Sequence, residues 1–135
     1  MILHHFTSEF HLGLIATAGT INATESNIGS GRRDWRPFGE HVGPDVVWLT
    51  DNPAPDDDRS FRGSLLNKTA VRLDVDVDAI KWTTWGPAKR MHRDWRRALV
   101  AAAGGRIVAD HWWVHPGPIP MSRVVEIHHT IGATR

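Results

Sequence analysis

The chain has 135 residues and no cysteine, which excludes disulfides and thiolate zinc sites. It has no tyrosine either, so the phenol hydroxyl that often decorates ligand sites is missing. An excess of one charge is also missing: 16 Lys+Arg stand against 15 Asp+Glu, whereas a dedicated nucleic-acid binder ordinarily carries a strong basic surplus. No apolar run approaches membrane-spanning length. Residues 1–20 include His4, His5, Glu9 and His11, so they do not read as the apolar core of a signal peptide. Internal repeats and a domain boundary are lacking. The expectation is one soluble, cytoplasmic domain spanning 1–135. Its 41% hydrophobic residues suffice for a genuine core.

Large flat side chains and imidazoles are abundant instead, with seven Trp and nine His. Some indoles belong to a core; the rest are available to line a cleft or cover a surface. The adjacent His4 and His5 lie in "LHHFT", an apolar run in which strand alternation lets only one of them face a given pocket. No His pair combines helical i,i+4 spacing with a Glu, as a zincin motif requires, so a metal site arises only by tertiary assembly.

Residues 2–6 read as a strand. Thr7 or Ser8 then caps a helix through "EFHLGLIATA", with Glu9 in its first turn, Leu12, Leu14, Ile15 and Ala18 on its apolar face, and Gly19 as its stop. Residues 22–44 read as loop. "DVVWLT" (45–50) is a strand closed by turn residues, and the Asp56–Asp58 run reads as a solvated tip. "TAVRLDVDV" (69–77) alternates, predicting Val71, Leu73, Val75 and Val77 inward and Arg72, Asp74 and Asp76 outward. Residues 88–103 read as a helix with Met91, Trp95, Leu99 and Ala102 on one face; "KRMHRDWRR" within it is its wet face or, alternatively, a nucleic-acid surface with Trp95 as stacker. "ADHWWV" and "SRVVEIHH" are strands joined by a Pro-rich turn, and Trp112 and Trp113 must point to opposite sides. The order β-α-loop-β-β-α-β-β predicts an α+β fold with a mixed or antiparallel sheet and two main helices.

In this order, "LHHFTS" leading to a short helix and Gly19, then "DVVWLTDNP", then "ADHWWVHPGPIPMSRVVEI", the chain resembles the ADP-ribosyltransferase superfamily. It is similar to small bacterial members and to the DNA-modifying toxins of that group. The resemblance implies the family's split-sheet domain and NAD as substrate, with ADP-ribose passed to a protein or nucleic-acid acceptor. By position it implies that His5 binds the nicotinamide ribose beside Phe6 and Thr7, that Trp48 stacks on the nicotinamide, and that Thr50 and Asp51 border the pocket. The acid falls at Asp110 or His111, depending on a one-residue register choice, or at Glu126 by another alignment. Such chemistry asks for orientation and stabilisation of positive charge more than for a strong base, and an indole face supplies part of that.

The family's glutamate is not in its usual place, so a nucleotide- or nucleic-acid-binding module without catalysis is the alternative. An interaction protein with a Trp interface is a third. The transferase reading requires that His5, Trp48 and an acid converge on one hollow. An imidazole at 5 and an indole at 48 on opposite sides of the fold, or both buried in a dry interior without an opening, end the transferase reading.

Overall fold

In a computed structural model describing residues 1–22, 46–54, 69–85 and 93–129, β1 (Ile2–Thr7) runs into Ser8. The Ser8 hydroxyl oxygen accepts from the His11 amide and caps α1 (Glu9–Ala18), and Gly19 ends that helix at φ 75°. Leu12 and Ile15 meet the core. Leu14 is exposed, against the sequence expectation, because it stands about 160° round the helix from Leu12. Ala18 is exposed as well.

Next come β2 (Thr20–Ile21), β3 (Val47–Thr50), β4 (Val71–Asp76) and β5 (Ile80–Lys81). They are followed by α2 (Arg93–Ala103), the one-turn α3 (Arg106–Ala109), β6 (Trp112–His115), β7 (Ile119–Pro120) and β8 (Val124–His129). Six strands form one sheet in the order β5-β6-β3-β1-β4-β8, and β2 and β7 form a separate ribbon. Every pairing is antiparallel, so the fold is α+β with an antiparallel sheet. The expected 22–44 loop beyond residue 22, the Asp56–Asp58 tip, Met91 and the side chains of Trp95 and Ala102 lie outside the described residues.

Strand alternation gives the sheet two cores. On one face Leu3, Val47, Leu49, Val71, Leu73 and Val75 pack under α1 and the β2–β7 ribbon, whose Ile21 and Ile119 join the cluster. On the other face α2 and α3 cover only the β3–β6 side, where Val46, Trp82, Trp85, Ala103, Ala109 and Val114 are buried together. Trp82 donates its indole N–H to the Ala109 carbonyl at 2.7 Å, which ties α3 to the sheet. Trp113 packs against the first core and Trp112 against the second, the opposed pair that strand geometry demands. No helix among the described residues is long and apolar enough to cross a membrane.

One strand is shorter than its sequence suggests. "ADHWWV" begins in a helical turn: Ala109 ends α3 and Asp110 is its C-terminal cap, so neither Asp110 nor His111 belongs to β6. Gly105, at φ 130°, redirects the chain to open this turn, and its carbonyl accepts from the Ala109 amide. An alternation argument gives no hint of that.

Candidate functional site

Cross-strand register decides which side chains meet. Trp112 pairs with Thr50, Thr50 with His4, His4 with Asp74, and Asp74 with Glu126. These residues therefore form one line across β6, β3, β1, β4 and β8, on the face only partly covered by α2 and α3. Four strand spacings make that line about 19 Å long. Two residues along each strand lie Trp48, Phe6, Arg72 and His128, on the same face.

Asp74 is the hub. The alternation of 69–77 places it outward, yet it is only 7% exposed, a correction to the solvated position expected for it. Its Oδ1 accepts from His4 Nδ1 at 2.7 Å and from Arg72 Nε at 2.9 Å. Its Oδ2 accepts from His128 Nε2 at 3.1 Å, and Arg72 Nη2 stands 3.4 Å from it. Burial pushes this carboxyl up, but the bonds from His4 and Arg72 and the guanidinium charge outweigh it and hold the group below its ordinary value. An ionised carboxylate can only accept, so His4 Nδ1 carries a proton towards Asp74. His128 Nε2 also lies 3.3 Å from Glu126 Oε2. Glu126, whose side chain is 63% exposed, is thus the accessible acid at one end of the line.

Aromatic rings stand at the other end. The Trp48 and Trp112 rings pack edge to face, 6.0 Å between centroids and 83° apart. Trp48 is partly exposed beside His4 and Phe6.

His5 is elsewhere. It pairs with Leu73 on the α1 face, and its Nδ1–H donates to the Trp48 carbonyl at 3.0 Å. Burial lowers its pKa, the bond to Trp48 offsets part of this, and nearby His11 adds to the lowering. His5 is thus a neutral, fixed ring at the edge of the first core, where Thr7 is also buried. The predicted trio of His5, Trp48 and Asp110 does not assemble: the imidazole and the indole project from opposite faces of the sheet. Register sets this outcome, since a one-residue difference in pairing exchanges the faces. Asp110 is exposed at the end of α3.

His111 donates Nδ1–H to Asp51 Oδ1 at 2.6 Å, and Trp113 donates its indole N–H to Asp51 Oδ2 at 3.0 Å. These three cluster at the strand ends, apart from the line centred on Asp74. Of the residues expected at the site, the structure sets Phe6, Trp48, Thr50 and Glu126 on one face, with Glu126 three strands away from Trp48 and Thr50. It sets His5 and Thr7 on the other face, and Asp110 and His111 in the turn before β6.

Asp74, Arg72, His4 and His128 carry the electrostatics of this face, and sequence reasoning missed their conjunction. The only signal was a carboxylate flanked by Leu73 and Val75 in an alternating strand. Asp74, Glu126 and His128 each place one ligand atom within 4.8 Å of the others, a donor set that a divalent cation could use. The Arg72 guanidinium already engages both Asp74 oxygens, so a cation there must displace it.

The chain matches no protein-family model, no curated protein and no solved structure.

Proposed function

We propose that the protein is a nucleotide-binding module whose site lies on the His4 face of the sheet, because His5 and Trp48 stand on opposite faces and the His5-centred transferase is thereby excluded. The supporting observation is the line of Trp112, Thr50, His4, Asp74 and Glu126. It joins an imidazole, an indole pair and a reachable carboxylate across about 19 Å, with Thr50 and Asp74 buried between them. A second reading is a transferase built on different residues, with His4 in the place of His5 and the exposed Glu126 in that of Asp110 and His111.

In this reading Trp48 stacks on the nicotinamide and attracts the positive charge that grows as the ring departs. His4 Nε2 hydrogen-bonds a ribose hydroxyl, with its ring held by Asp74. Glu126 orients the same ribose and stabilises the oxocarbenium-like transition state. The bond from ribose to nicotinamide breaks with its electron pair leaving on nicotinamide. An acceptor hydroxyl, amine or base nitrogen then attacks the same carbon and loses its proton to solvent.

Nucleotide binding without turnover is favoured over that second reading by one observation. Asp74 is fully engaged by His4, Arg72 and His128, and Glu126 shares His128. Calorimetric titration with NAD and chromatography of released nicotinamide separate the two. The transferase reading expects binding and release, with Glu126→Gln retaining binding but slowing release about 10²-fold or more. Binding without release supports the nucleotide-binding module; no NAD binding removes both.

A further inference from the structure

Among the described residues, β8 is an edge of the six-stranded sheet. β8 bonds to β4 on one side, and among the described residues no strand pairs with its other side. Natural edges are blunted by shortness, lysine, proline or bulges. The opposite edge, β5, is only two residues long. β8 has six residues, Val-Val-Glu-Ile-His-His, with neither lysine nor proline, and a single irregularity opposite Asp74 and Val75. Val125 is 59% exposed and Ile127 is 42% exposed.

We infer that β8 pairs with β8 of a second copy of this chain, antiparallel about a two-fold axis at Ile127. A two-fold axis normal to the sheet pairs residues of the same face, so it must pass midway between the two copies of one residue. Centring on Glu126 sets glutamate against glutamate, and centring on His128 sets histidine against histidine. Like charges directly opposite are destabilising. Centring on Ile127 sets Ile127 against its own counterpart, and twice sets Glu126 of one copy against His128 of the other. The sequence is self-complementary in this register alone among the three.

The Ile127 face offers further apolar area. Glu9 accepts from His129 Nδ1 at 2.7 Å, which fastens the start of α1 over β8. Phe10 and Leu14 of that helix are both exposed. The pairing therefore joins two six-stranded sheets into one continuous sheet, with helices α1 of both copies flanking the axis. This inference stands independently of the proposed activity.

The absence of native cysteine makes the register directly testable. In Ile127→Cys the two sulfurs face each other across the axis, within the 4.4–6.8 Å Cα range of disulfides. In Val125→Cys the like positions are about 13 Å apart along the strands. We expect Ile127→Cys to form a covalent dimer under mild oxidation and Val125→Cys to stay monomeric on non-reducing gels. Sedimentation should show a wild-type dimer, and Ile127→Lys should sediment as a monomer with an unchanged circular dichroism spectrum. A wild-type monomer at millimolar concentration overturns the inference. So does a dimer in which Val125→Cys cross-links as fast as Ile127→Cys, or one in which Ile127→Cys fails to cross-link.

Discussion

Replacing Asp74 by Asn keeps the shape of the side chain and removes its charge. The carboxylate accepts from His4 at 2.7 Å, Arg72 at 2.9 Å and His128 at 3.1 Å. An amide presents one acceptor and one donor, so at least one of these partners then faces an N–H. Charge-assisted hydrogen bonds contribute about 1.5–3 kcal/mol each, and breaking a buried ion pair from one side costs about 3–5 kcal/mol. The Arg72 and His128 side chains, 21% and 34% exposed, can recover water. We therefore expect Asp74→Asn to cost about 2–4 kcal/mol at pH 7. That corresponds to a fall in Tm of about 10 °C at roughly 3–4 °C per kcal/mol for a domain of this size. Urea unfolding and thermal melting measure it.

The pH dependence supplies an internal check. The folded Asp74 carboxyl titrates below its unfolded value of 3.8. Its stabilisation is therefore complete above that value and is lost as pH falls through the folded value. The gap between wild type and Asp74→Asn should be full at pH 6–7 and close towards acid, where the native carboxylate is itself protonated. A loss below about 1 kcal/mol, within the range of a surface ion pair, would refute the buried hub.

His5→Asn can keep the hydrogen bond to the Trp48 carbonyl while removing titration. Because burial lowers the folded pKa of His5, its contribution is present above the unfolded value of 6.5 and lost as pH falls towards the folded one. Stability of the variant should decline less than that of wild type between pH 7 and pH 5, and equal slopes in urea melts would contradict this. Ser8→Ala removes the oxygen that caps α1 and should cost about 1 kcal/mol by chemical denaturation, with less helical circular dichroism at intermediate denaturant.

Local signals carried much of the fold. The capped helix from Ser8 to Gly19 is written in a serine, a first-turn glutamate and a glycine free to adopt positive φ. Alternation in 71–75 announces the buried Val71, Leu73 and Val75. The site was less legible because it is made by register. His4 reaches Asp74 across 70 residues and His128 reaches it across 54. Periodicity states that Asp74 faces away from the valines, but not that a neighbouring strand delivers imidazoles to that side. The same gap explains His5: alternation separates it from His4, while only the pairing of β1 with β3 reveals which of the two shares a face with Trp48. Asp110 and His111 were misplaced for a local reason, since "RIVA" is too short to declare its helical turn by period.

The central claim is spatial: ligand chemistry belongs to the face of His4 and Trp48, not to that of His5. Heteronuclear NMR of the seven tryptophan indole N–H signals during NAD titration tests it most directly, with assignments from single Trp→Phe variants. The account predicts saturable shifts at Trp48 and Trp112 together with the His4 ring, and unmoved signals from Trp82 and Trp113. Shifts confined to Trp113 and His5, or no shift at any indole, would contradict it.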